Sequence, residues 1–240
     1  MRIVAIVQAR LNSTRLPRKV LADMGGTRLL DVLVERLLRA EGLDAVWLAI
    51  PTGDLALWDA VPGWGISAAC GSEEDVLGRY VVAAQASKAD AVVRITADCP
   101  LLDPQLVSAA VIRYRRRARR HLHTDYLYVQ GYPRGTGEVE IVSRQALEQT
   151  ARETEDPWHR EHVVTYLLAH PERFAVVVGQ APRRFRRPDL RLCVDEPADL
   201  EVVRWLVAHV PPPRGVKQLI KALDAHPEIA ALNAQVQQRS

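Results

Sequence analysis

The chain has 240 residues, 48% hydrophobic and 25% charged, the profile of one globular domain with an elaboration. No apolar run approaches the ~20 residues of a membrane span, and Cys70, Cys99 and Cys193 are too few and too scattered for a disulfide framework or a zinc site. With no export signal before the first strand, a reducing cytoplasm is expected; the formal net charge of +3 gathers in local patches, and aromatic residues, at 5%, are too sparse for base-stacking platforms.

In chain order, a short buried strand over 2–8 leads into a polar loop carrying Arg10, Ser13, Thr14, Arg15 and Lys19. Leu29, Leu30, Leu33, Leu37 and Leu38 mark a helix to about residue 40, followed by strands over 45–50 and 64–70. The spacing of Val76, Leu77, Tyr80 and Ala84 predicts a helix over 73–87, with Ser72 as its candidate N-cap. A fourth strand spans 91–95, and Asp103 opens a helix whose apolar face is Leu106, Val107, Ala110, Val111 and Tyr114. Strands alternating with helices imply βαβ units and a mostly parallel α/β sheet.

The alternation then breaks. Strands are expected over 125–129, 138–142 and 174–178, and helices over 144–153 and 159–169, so that 121–188 reads as an inserted α+β lobe. A strand over 190–194 returns to the core and a helix over 199–208 follows. Pro211-Pro212-Pro213 precedes a helical tail to the end of the chain, within one 240-residue domain.

Two arginine patches bear on a nucleic-acid partner. Residues 113–120 hold six arginines and 183–187 hold four. The first crowds the last turns of a helix, where the dipole favours cations; a solvated helix end is the favoured reading, and nucleic acid is not an expected partner. The second lies in a Pro- and Arg-rich loop, open to an anionic substrate or a partner subunit.

Ligands of open α/β sheets bind beyond the carboxyl ends of strands. Arg10, Arg15 and Lys19, directly after the first strand, suit a ligand with several phosphates, because arginine offers a fork of donors and lysine a point charge. Asp98 and Asp195 each follow a predicted strand and would project at the same edge. Two carboxylates beside phosphates suit Mg²⁺; the alternative for each is a cap of the segment that follows. Cys99, next to Asp98, reads as a small buried side chain rather than a nucleophile.

The run Gln8-Ala9-Arg10-x-x-Ser13-Thr14-Arg15-Leu16-Pro17-x-Lys19-x-Leu21 resembles the signature of the cytidylyltransferases that activate sugar acids, in the branch of spore-coat polysaccharide proteins, with KDO and acylneuraminate cytidylyltransferases as relatives. Four further motifs continue the resemblance in order: Gly71 to Leu77, Arg94 to Leu101, Arg160-Glu161-His162-Val163, and Val194 to Leu200. The resemblance implies a Rossmann-like nucleotidyltransferase fold and CMP transfer from CTP to a nonulosonate-like sugar acid, releasing pyrophosphate. It implies a catalytic set of Arg10, Lys19 and Asp98, and Mg²⁺ on Asp98 and Asp195. The nucleotide would meet Ala9, Arg10, Ser13, Arg15, Lys19, Gly71, Ser72, Asp75 and Asp98. A small anionic acceptor would meet Arg134, Glu138, Arg160, Glu161 and His162, and a homodimer would form through 121–188.

Three positions depart from the family pattern: Arg18 where relatives often carry Gly, Ala97 before Asp98, and the stretch Pro133 to Glu138. The last leaves open transfer to a phosphonate or phosphate metabolite. A non-catalytic binding protein of the same fold is the reading of a different class.

Overall fold

The computed structural model describes residues 1–237. The four strands expected in its first half are present, although the third begins at Ser67 rather than residue 64 and a short helix over Leu55–Ala60 was not expected. Strands β1 (Ile3–Gln8), β2 (Ala45–Pro51), β3 (Ser67–Gly71) and β4 (Ala91–Thr96) are parallel and adjacent in the order β3-β2-β1-β4. Ile3 to Val7 are fully buried, as in a central strand covered on both faces. Helix α1 (Leu29–Leu38) and the later α4 (Pro104–Arg119) cover one face with α2 (Leu55–Ala60); α3 (Val76–Ala86) and α5 (Arg144–Glu153) cover the other.

The block 121–188 contributes three strands to the same sheet. The complete order is β3-β2-β1-β4-β6-β5-β7, with β5 (Tyr126–Gln130), β6 (Glu140–Ser143) and β7 (Val176–Gln180). Strand β6 lies antiparallel to both β4 and β5, and β5 pairs parallel with β7.

Three expectations are corrected. The helix expected over 73–87 starts at Val76, and its N-cap is Asp75, whose carboxylate accepts from Gly78 N at 2.8 Å. The buried Arg79 guanidinium donates to the carbonyls of Ser72 and Glu73, which holds residues 72–75 as a loop. The helix expected over 159–169 is split by Val163, at φ 57°, into α6 (Pro157–His162) and α7 (Thr165–Ala169). The strand expected over 190–194 is absent from the sheet. Its backbone bonds go instead to loops, with Arg134 N donating to Leu190 O, Leu192 N to Arg134 O, and Val194 N to Asp98 O, all at 2.8–2.9 Å.

Helix α8 (Pro197–His209) then packs with α9 (Val216–Ala225) on a third apolar cluster that includes Leu192 and Val194, and α10 (Pro227–Ala231) follows. The end of the expected tail, 238–240, lies outside the described residues.

Candidate active site

The carboxyl ends of β1 and β4 open into a cleft of about 1040 Å³. Its phosphate-suited side is the loop after β1. Gln8, Ala9, Arg10, Ser13, Thr14, Arg15 and Lys19 all line the cleft. The loop is pinned from below: Leu11 N donates to Asp54 Oδ2 at 2.9 Å, and Arg18 N to Leu11 O at 3.0 Å. Arg18 itself is exposed and left-handed, with φ 56°. Glycine adopts that conformation at no steric cost, so the family pattern expected here suits this backbone better than Arg18 does. Ala97 has no positive φ and is buried, so its methyl is accommodated without backbone strain.

Lys19 is the centre of the charge arrangement. Its ammonium donates to Asp98 Oδ2 at 3.1 Å and to Asp195 Oδ1 at 2.8 Å. Arg15 Nη2 lies 3.0 Å from Asp195 Oδ1, and Arg191 pairs with the other oxygen of Asp195. Burial alone lowers the affinity of Lys19 for its proton, but Asp98 and Asp195 together outweigh it and raise the pKa above the ordinary lysine value. Burial likewise pushes the Asp98 carboxyl up, and Lys19 with the hydroxyl of Thr96 pulls it below the ordinary range. At neutral pH Lys19 and Asp98 are therefore both charged. Burial beside Asp98 drives the Cys99 thiol well up, which leaves it protonated and unsuited to nucleophilic work.

Neither aspartate serves as a cap. Asp103 caps α4, and Glu196 holds the N-cap position of α8. Both carboxylates instead converge on one ammonium. Val194 N donating to Asp98 O ties their two loops side by side. Gly135 makes a further close approach possible: at φ 81°, a Cβ there would lie 2.9 Å from Cys193 N. Among the described residues no three His, Cys, Asp or Glu side chains gather into a metal cage. Two carboxylates set inside a cation-rich cleft are the donor set that fits a hard divalent ion completing its shell with phosphate oxygens and water.

The wall opposite the basic loop carries Arg134, Glu138, Glu161 and His162, all lining the cleft. Glu161 Oε1 lies 3.4 Å from Arg10 Nη2 across the opening, and His162 packs against the half-exposed Trp158 with ring centroids 3.9 Å apart and planes tilted by 51°. Gly71, Ser72, Asp75 and Arg160 are not among the cleft-lining residues. Asp75 and Arg160 bind one another, with Arg160 Nε 2.9 Å from Asp75 Oδ1, and so fasten α6 to the start of α3.

Several site residues were not anticipated. Arg94, Tyr128, Glu140 and Trp158 line the same cleft. Behind Asp195, the fully buried Asp199 accepts from Arg191 Nε (3.0 Å), Asn233 Nδ2 (2.8 Å) and the amides of Asp195 (2.9 Å) and Glu196 (3.0 Å). The spacing Glu196-x-x-Asp199 before an apolar helix is the available signal for this hub, since an acidic N3 residue reaches back to the N-cap amide.

A mostly parallel sheet with a phosphate-suited loop after its first strand and paired carboxylates beside it is the arrangement of a nucleotidyltransferase. The cytidylyltransferase family model matches residues 4–229. The spore coat polysaccharide biosynthesis protein SpsF of Bacillus subtilis is 34% identical over 95% of this chain and 96% of its own. The 3-deoxy-manno-octulosonate cytidylyltransferase of Anaeromyxobacter dehalogenans is 30% identical over 86% and 98%. A cytidylyltransferase structure from Leptospira borgpetersenii superposes with a TM-score of 0.88 at 26% identity, covering 100% of this chain and 99% of that one. The CTP complex of CMP:2-keto-3-deoxy-manno-octonic acid synthetase shares the fold, with a TM-score of 0.67 at 19% identity over 87% and 99%. The chain belongs to the cytidylyltransferase family and is a CTP-dependent nucleotidyltransferase.

Proposed function

We propose that the protein transfers CMP from CTP to a nonulosonate-like sugar acid, releases pyrophosphate, and supplies cell-surface polysaccharide or glycoconjugate synthesis. The carrying observation is Lys19 bridging Asp98 and Asp195 beneath the basic loop. Relatives named for 3-deoxy-manno-octulosonate and for spore-coat polysaccharide support the choice of acceptor.

In this reading an oxygen of the acceptor attacks the α-phosphorus, and the bond to the pyrophosphate oxygen breaks. Arg10, Arg15 and Lys19 neutralise the phosphates, and Ser13 donates to a phosphate oxygen. Mg²⁺, held by Asp98 and Asp195, would supply Lewis-acid charge neutralisation. The contribution of the protein is orientation and preorganised charge, with no covalent intermediate on the chain. Lys19 keeps the two carboxylates together before substrate arrives, so that the site is assembled at little further cost in order. The acceptor meets Arg134, Glu138, Glu161 and His162. Gly71, Ser72 and Asp75, expected at the nucleoside, lie outside the cleft lining, and Asp75 and Arg160 act by fastening α6 to the start of α3. We place the enzyme in the cytoplasm as a homodimer formed through 121–188; light scattering that gives a monomer at micromolar concentration would sink the dimer.

Pyrophosphate release from each of the four nucleoside triphosphates with Mg²⁺, with and without sugar acids, tests the function. CTP and a sugar acid together are expected to be required. Equal turnover of all four nucleotides, or preference for a short phosphate ester, overturns it.

A further inference from the structure

The strand order places three polar side chains in one row across the floor of the cleft. Arg94 on β4 pairs in register with Glu140 on β6, and Glu140 with Tyr128 on β5. Residues opposite one another in register point to the same face, and all three line the cleft. Arg94 Nη1 donates to Glu140 Oε2 at 2.5 Å, and the two side chains keep 18% and 17% of their surface open. Tyr80, fixed by its hydroxyl on Ile95 O at 2.8 Å, lies under the guanidinium at 6.0 Å. Trp158, Glu161 and His162 of α6 line the same space.

This row is poorly explained as a device for stability. Placing an ion pair in a sheet interior often gains nothing over apolar residues of the same size. A guanidinium has five N–H donors. Among the described residues Glu140 is the single hydrogen-bond partner of Arg94, and Arg94 Nε is buried without one. Tyr128 adds a hydroxyl 3.3 Å from Glu138 Oε1. Donors and acceptors alternate along the row, which is what vicinal hydroxyl groups need, because each hydroxyl both gives and takes a hydrogen bond. The row is also set back from the chemistry. Arg94 lies two residues, about 7 Å, before the end of β4, whereas Asp98 lies beyond that end.

We propose that Arg94 and Glu140 are specificity-determining residues that contact the hydroxylated chain of the acceptor, so that the enzyme selects long polyhydroxy acids over short phosphate esters. The premise that the acceptor is a sugar acid comes from the function proposed above. A molecule whose reacting oxygen lies by Asp98 reaches the row only if it extends back along β4. Tyr128 borders the same chain.

The test uses pyrophosphate release at saturating CTP and Mg²⁺. The probes are 3-deoxy-manno-octulosonate, N-acetylneuraminate, the periodate-truncated form of N-acetylneuraminate, and phosphoethanolamine. The variants are Arg94→Lys and the charge-neutral pair Arg94→Gln with Glu140→Gln, which avoids an unpaired buried charge. The pair is expected to raise KM for the preferred full-length acid between about tenfold and about a hundredfold, the loss of charge-assisted hydrogen bonds. KM for CTP and Tm stay near wild type, and wild-type preference for the full-length over the truncated chain is lost in the variants. An unchanged acceptor KM, or an equal loss on both chain lengths, overturns the assignment and leaves sugar-acid transfer standing. Wild-type activity with phosphoethanolamine alone, or with none of the acids, overturns the acceptor reading and this assignment with it.

Discussion

Two clusters of cations in this chain have opposite fates. In the loop after β1, Arg15 and Lys19 converge with Arg191 on the carboxylates of Asp98 and Asp195, facing an open cleft. At the end of α4 the arginines diverge. Arg115 donates to Met1 O, Gly42 O and Asp44 Oδ2 at 2.7–3.0 Å, and Arg117 to Thr124 Oγ1 at 2.7 Å, while Arg116, Arg119 and Arg120 face solvent. The richer patch is the structural one. Convergence of charge on a concave surface, rather than the number of cations, marks the site. The second arginine patch behaves like α4: Arg187 pairs with Asp189 and Asp224, and Arg186 donates to Ala181 O at 3.0 Å.

The comparison breaks most easily at the aspartates. Asp98→Asn and Asp195→Asn are each expected to lower turnover by about a hundredfold or more, ~2.7 kcal/mol of transition-state stabilisation. The double variant should be little worse than either single one, since the two act as a unit. Steady-state pyrophosphate release at saturating Mg²⁺ measures both; near-normal turnover of either variant removes that residue from the site. Lys19→Met comes next, with turnover falling between about tenfold and a hundredfold through loss of charge-assisted contacts. A loss confined to Tm, with kcat intact, would show that Lys19 only holds the carboxylates apart from solvent.

On α4, replacing Arg115, Arg116 and Arg119 together by Gln should leave turnover with CTP within about twofold. Stability should fall by about 1 kcal/mol, the ordinary net worth of hydrogen bonds such as those Arg115 makes. Urea titration reads the second effect, and a tenfold drop in kcat would contradict the assignment of this patch to structure. The smallest expected effect concerns acid. Burial pushes the Asp44 carboxyl up, but the Ile3 amide and Arg115 outweigh it and hold the folded-state pKa below the ordinary value. A depressed carboxylate stabilises the fold above its unfolded pKa of about 3.9 and ceases to as pH falls through the folded value. Arg115→Gln should therefore flatten the loss of stability on acidification below about pH 4. Parallel wild-type and variant profiles would assign the depression to the Ile3 amide and Arg2.

The sequence by itself determined the βα alternation through β4, the buried β1, the basic loop that follows it, and Asp103 as the cap of α4; the arginine end of that helix is solvated only in part, since Arg115 and Arg117 are tied to the fold. These are local matters: periodicity reports which face is buried, and cap and loop residues sit beside the elements they serve. Family resemblance in the motifs carried the aspartates and the chemistry. Only the tertiary structure decided that Asp195 stands beside Asp98 without a strand before it, because the docking of 190–194 on Arg134 and Asp98 depends on contacts across distant chain. It also turned Asp75 and Arg160 toward each other and aligned Arg94, Glu140 and Tyr128. Each of those groups unites residues from separate elements, and their register is fixed by the β4-β6-β5 order of the sheet, which no local pattern in the chain encodes.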